Sequence, residues 1–276
     1  MNFINCANQN SPELLKKTVI FWCDNTIGHI ESLLRLGGGT TAVLQNVFKD
    51  NLKSFYGEFY KISQNLKENP LVNTMYNNFI NLNQEFINLL ERMKFEGYAG
   101  YPVLQQTIFH YIYEARYINA VLGLKKTAEN LLITVSFAPF YNRNINCFYN
   151  QIYFWSIIGA MHPSLLMGSN VFYNSINGYA KDFLTETTNK FNNITFKLSS
   201  LKRPVKLKAL SEVFLEFSQL NLDYLDFLKL IKQSSFKIFT LPTAVRLPSS
   251  FYAGVDHQIA EHTLVCEINE NIEKQL

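Results

Sequence analysis

Charge is sparse in this chain, cysteines are few, and no long apolar run goes unbroken; each scarcity removes a class of protein. Only 17% of the 276 residues are charged, below the usual quarter of a globular chain, and the formal balance is +3 with no block of like charge. Neither nucleic acid nor an anionic membrane surface is therefore an expected partner. The four cysteines, Cys6, Cys23, Cys147 and Cys266, stand far apart without a Cys-x-x-Cys pair. In a chain too long to need a disulfide framework they read as reduced thiols of an intracellular protein. The first residues lack a basic segment followed by an apolar one, so no secretory leader is expected and the cytoplasm is the expected compartment. Residues 144–180 contain no Asp, Glu, Lys or Arg. Asn, Gln, Ser, His, Pro and Gly nevertheless interrupt them throughout, and the roughly 18 successive apolar residues of a spanning helix are missing. Catalytic signatures are equally scarce. Gly37, Gly38 and Gly39 follow a helix and precede no Lys-Ser/Thr, and no Gly-x-Ser-x-Gly elbow occurs, which argues against a phosphate loop and against a serine hydrolase.

What the chain has in quantity is apolar surface, 47% hydrophobic and 14% aromatic residues, enough for a packed core. Its spacing is helical. Ser11-Pro12-Glu13 supplies a cap, a proline at the first helical position and an early acid, and the triple glycine closes the first helix. Further helices are predicted at about 41–66, up to about 96, and from about 103 past 122, with Asn69-Pro70 and "EGYAGYP" as breaks. Four long helices on short links predict an antiparallel four-helix bundle. The second half predicts the same plan, with helices at about 147–167, 170–193, 206–234 and 249–274 and a linker at 134–144. The expected class is therefore all-α, a tandem duplication of two antiparallel bundles over residues 1–138 and 139–276.

Motifs recur in order, as a duplicated unit requires. "IFWCDNTIGHIESLL" (20–34) lies against "YFWSIIGAMHPSLL" (153–166), each with a histidine seven residues after a tryptophan. "FINLNQEFINLL" (79–90) lies against "FSQLNLDYLDFL" (217–228). Each half then ends in His-x-x-x-Glu, His110 with Glu114 and His257 with Glu261. Helical turning of 100° per residue puts Leu15, Val19, Trp22, Thr26, His29 and Leu33 within about 40° of one another, so His29 shares the apolar face. His110 shares a stripe with Glu114, Tyr117 and Val121, and His257 one with Glu261, Leu264 and Ile268.

Imidazoles and carboxylates inside a bundle are costly unless they are paired or hold a metal. Imidazole and carboxylate at i and i+4, with a second imidazole from a facing helix, match bundle-core metal sites. The candidate ligands are His29, His110 and Glu114, and His162, His257 and Glu261. Iron or manganese suits such a mixed donor set best, with zinc a further option; small molecules could meet the metal, and an enzyme of this kind would do oxygen or peroxide chemistry. No catalytic residue is assigned. The rival reading is a metal-free structural or partner-binding scaffold whose His and Glu are hydrogen-bonded. An oxygen carrier of hemerythrin type would need a His-x-x-x-His helix, which is missing. Glu85 and Asp223 lie about 80° off the third-helix stripe and stay outside the set. His262 and Cys266 have only Ala115 and Asn119 opposite them and read as non-ligands, and the Phe-Trp pairs read as core packing.

On "IFWCDNTIGHIESLL" and "YFWSIIGAMHPSLL", and on "HYIYEARYINAVL" and "HQIAEHTLVCEI", the chain resembles the Bacillus cereus metalloprotein-like proteins, a family built as two tandem four-helix bundles. The resemblance covers nearly the whole chain. It implies metal held by His29, His110, Glu114, His162, His257 and Glu261, and it implies no particular reaction. The family pattern commonly has an acid before the first-helix histidine, where this chain has Gly28 and Met161. Pro163, directly after His162, is expected to kink the helix and shift that ring, making the second site the weaker one.

Overall fold

A computed structural model describes residues 12–39, 45–96, 102–128, 145–202, 205–235, 237–240, 247 and 249–273. Among the described residues the protein is all-α, with one isolated bridge between Ile176 and Phe239 as the only extended pairing. The predicted linker at 134–144 lies outside the described residues. The chain divides into two compact units, residues 2–139 and 140–276.

The first unit holds α1 (Pro12–Gly39), α2 (Asn46–Glu68), α3 (Asn73–Glu96) and α4 (Pro102–Ala128). Pro12 costs nothing at its helix start, since a first-turn N–H has no intrahelical partner. At the end of α2, Asn69 turns extended (φ −118°, ψ 158°) because Pro70 disfavours helix in the residue before it. Short links force successive helices to run antiparallel. α1 packs on α2 and α4, and α3 on α2 and α4, so the four close into a ring. Phe48, Leu52, Phe59 and Leu66 recur on one face of α2 and are fully buried. On α3, Phe79, Asn83, Phe86 and Leu90 recur at steps of three and four. Phe59 packs edge-on against Phe79 and Phe86, with ring centroids 6.2 and 5.8 Å away. Burying each such side chain is worth roughly 1.5–3 kcal/mol.

The second unit holds α5 (Ile145–Met167), α6 (Asn170–Ser175), α7 (Gly178–Ser200), α8 (Leu207–Lys232) and α9 (Ser249–Glu273). α5 packs on α7 and α9, and α8 on the same two, as in the ring of the first unit, and here α5 also meets α8 across the ring. The continuous helix expected at 170–193 is instead broken at Ile176 and Asn177. Asn177 restarts it as a cap, its Oδ1 accepting from the Ala180 N–H at 2.9 Å. The break is held from outside by the α8–α9 connection: Asn177 donates its N–H to the Ile238 carbonyl at 2.9 Å, and Thr240 donates to the Ser175 carbonyl at 3.0 Å. The helix also outruns the predicted end by two turns, because Ile194 and Leu198 extend the buried stripe begun by Leu184 and Phe191. α5 and α7 approach closely at Gly159, where a Cβ would stand 2.6 Å from the Phe191 ring.

Pro163 lies inside α5, which continues to Met167. The expected shift of the neighbouring histidine does not occur, and His162 is fully buried. No helix among the described residues is long and apolar enough to cross a membrane.

Candidate metal centre

His110 and Glu114 stand one turn apart on α4, and residues four apart on a helix lie one above the other. His110 Nε2 is 2.9 Å from Glu114 Oε1. His29 reaches the other oxygen from α1, Nε2 to Oε2 being 3.1 Å. All three side chains are closed to solvent, at 3% exposure for His29 and 1% for the others. The two imidazoles are 6.2 Å apart and inclined at 68°. Asn25, one turn before His29 on α1, donates from Nδ2 to Glu114 Oε2 at 3.3 Å. Tyr111 stacks on His29 with ring centroids 3.7 Å apart.

Electrostatics sharpen this arrangement. Burial works against a charged Glu114, but the His110 and His29 rings beside it outweigh that penalty and hold its carboxyl well below the usual range. Burial also pushes His29 below its ordinary value, against the pull of Glu114. The carboxylate is thus held ionised in the core against the two imidazoles.

The second unit assembles the same three groups. His257 and Glu261 are one turn apart on α9, with Nε2 to Oε1 at 3.4 Å, and His162 of α5 brings Nε2 to 3.1 Å from Oε2. The two rings are 6.3 Å apart, as in the first unit, and inclined at 79°. His162 and Glu261 are wholly buried and His257 keeps 12% exposure. One ligand atom from each of His162, His257 and Glu261 lies within 4.8 Å of the others. In both units, then, His and Glu stand within metal-binding distance of one another in the core.

The donor spacing fits an ion. Two ligands about 2.1 Å from one metal are about 3.0 Å apart at a right angle and about 3.4 Å apart at the tetrahedral angle. The four nitrogen–oxygen separations, 2.9, 3.1, 3.1 and 3.4 Å, span that interval. Imidazole with carboxylate is also the donor set of bundle-core iron, manganese and zinc sites.

Two supporting groups escaped the sequence reading. Asn83 on α3 and Asn221 on α8 occupy matching places, both buried. Asn83 Nδ2 donates to the Ala115 carbonyl at 2.8 Å, and Asn221 Nδ2 to the His262 carbonyl at 3.0 Å. Each clamps the backbone one residue past the site glutamate. Their signal in sequence was the shared "LN" on the apolar stripe, four residues after a buried phenylalanine. Glu85 and Asp223, two positions further on, are exposed. His262, read as lying outside the pattern, instead joins the second site: its Nε2 is 2.9 Å from His162 Nδ1 and its Nδ1 is 2.6 Å from Asn221 Oδ1. Cys23 and Cys266 are free thiols; Cys266 Sγ accepts from Asn221 Nδ2 at 3.1 Å. Trp22, Phe154 and Trp155 are buried. No protein-family model matches the chain, and no curated protein aligns with it significantly.

Proposed function

We propose that this protein binds metal ions within two tandem helical bundles, one ion held by His29, His110 and Glu114 and another by His162, His257 and Glu261. The reading rests above all on one observation: in each unit two imidazole nitrogens from different helices converge on the two oxygens of one buried carboxylate, at 2.9 to 3.4 Å. Iron or manganese is the preferred occupant and zinc the next, because all three accept imidazole and carboxylate together. The resemblance to the Bacillus cereus metalloprotein-like proteins belongs to the same proposal, as does duplication of the bundle. Three protein ligands per ion leave coordination positions for water or a small molecule; any reaction would be sought there, among oxygen or peroxide chemistries.

Elemental analysis of untagged protein tests the proposal. Wild type should carry close to two ions per chain, and His110→Ala combined with His257→Ala should carry almost none, since losing one of so few ligands weakens binding severely. Equal metal in both proteins, or only traces in wild type after growth with added iron, manganese and zinc, would defeat it.

A further inference from the structure

The second site contains a chain of hydrogen bonds whose protons can be assigned from one end to the other. Asn221 fixes the first. Its Nδ2 faces the His262 carbonyl, which can only accept, at 3.0 Å, and the Cys266 sulfur at 3.1 Å. The amide oxygen is therefore the atom 2.6 Å from His262 Nδ1. An amide oxygen only accepts, so His262 carries a proton on Nδ1. A neutral imidazole has one N–H, and the opposite nitrogen of His262, Nε2, is left as a lone pair. That lone pair is 2.9 Å from His162 Nδ1, which must supply the next proton. A neutral His162 then has a bare Nε2, 3.1 Å from Glu261 Oε2, whereas a doubly protonated ring would donate from Nε2 to that oxygen. A lone pair beside a carboxylate oxygen at that distance is repulsive, and a cation bound to both relieves it.

We propose that Asn221 and His262 are positioning residues which hold His162 in the tautomer protonated at Nδ1 and present its bare Nε2 as a ligand beside Glu261. The proposal deepens the metal-binding reading and rests on it for the identity of the cation. A metal ligand of this kind ordinarily donates its second ring N–H to a carboxylate, carbonyl or water; here the acceptor is another imidazole, anchored in turn by an amide. Reversing the chain with both rings neutral, so that His162 donates from Nε2 to Glu261, would set two lone pairs against each other at 2.9 Å between the rings. The first unit keeps the Asn clamp but has no histidine in the place of His262. Ala115 stands where His262 does, Asn83 binds its carbonyl at 2.8 Å, and Asn83 Nδ2 turns to Asn119 Oδ1 at 2.8 Å. The two sites therefore hold their α1 and α5 histidines by different means: Asn25 and Tyr111 sit around the glutamate and ring of the first, and a proton-ordered chain backs the second.

Two measurements on the full chain test this. In metal-stripped protein labelled with ¹⁵N-histidine, long-range proton–nitrogen spectra should show His162 and His262 both protonated at Nδ1, with His262→Gln used for assignment. A protonated Nε2 on His162 overturns the proposal whatever the metal content. Titration with manganese or zinc should then show His262→Leu binding about 10- to 100-fold more weakly at one of two sites. His262→Gln, whose Oε1 can accept the Nδ1 proton, should stay within about 3-fold of wild type. Unchanged affinity in a folded Leu variant overturns the proposal, and if that variant does not fold, the wild-type spectrum decides. Should wild type take up no metal in the second unit, the functional reading fails, and the same spectrum still decides whether the relay orders His162.

Discussion

Replacing Glu114 by Gln separates a metal site from a hydrogen-bonded core, because the two readings give different stabilities in metal-free protein. The side chain is 1% exposed; Oε1 is 2.9 Å from His110, and Oε2 is 3.1 Å from His29 and 3.3 Å from Asn25. If the contacts exist to hold the bundle, Gln exchanges two charge-assisted bonds for two neutral ones, each about 1–1.5 kcal/mol weaker, a loss of roughly 2–3 kcal/mol. If they exist to hold an ion, stripped wild type carries a buried carboxylate short of positive charge. Gln, which keeps the shape and can still bond both rings, should then lie within about 1 kcal/mol of it or be more stable. The cost appears only on adding metal: an ion at 1,000 times its dissociation constant stabilises wild type by about 4 kcal/mol, and the variant by almost nothing at that site. Denaturation of the full chain in urea, once with chelator and once with manganese or zinc, measures both quantities. A Gln variant that loses about 2–3 kcal/mol in chelator, with a wild type indifferent to metal, would refute the reasoning.

Other outcomes follow from the packing. Gly159→Ala places a methyl 2.6 Å from the Phe191 ring and should cost about 1–3 kcal/mol in urea denaturation. Asn83→Ala leaves the Ala115 carbonyl without its side-chain donor and should lower stability by about 1–3 kcal/mol in chelator, with a further loss of metal affinity at the first site. Cys23 and Tyr224 are pushed upward chiefly by burial, so both stay protonated in the fold and ionise more readily once unfolded. Stability should therefore fall as pH rises beyond about 9, by up to about 1.4 kcal/mol per group per pH unit, and Cys23→Ala should make a stability profile against pH shallower. Pro163→Ala should leave the metal affinity of the second unit within about 3-fold, since α5 already continues through that residue; a large loss in a titration would show that the ring placement depends on proline.

Helix ends were legible wherever the signal lay within a few residues of the end. Pro12, Asn69-Pro70 and the glycines are such signals, and α1 to α5, α8 and α9 begin or end within about five residues of the positions predicted from the pattern. The break at Ile176 and Asn177 was not, because it is secured by Ile238 and Thr240, more than sixty residues away, and no local period announces that. The histidines and the His-x-x-x-Glu pairs were visible because two copies stood on apolar stripes. Asn83 and Asn221 were not legible because an uncharged amide on an apolar stripe does not stand out by charge; Glu85 and Asp223 nearby, set off that stripe, lie exposed. His262 was set aside for having no twin in the first half. It is the lack of a twin that makes the second site different.

His29 and Glu114 belong to the first and last helices of one ring of four, with most of that unit's chain between them. An ion gripped by both would act on the unfolded chain as a reversible cross-link closing a loop of some 85 residues. By the chain-entropy account of disulfides, a closure of that length restricts the unfolded ensemble by about 4.5 kcal/mol. Metal would then set the lifetime of the fold as well as its equilibrium: α1 could not peel from α4 until the ion had left, and a protease would have to wait for that departure.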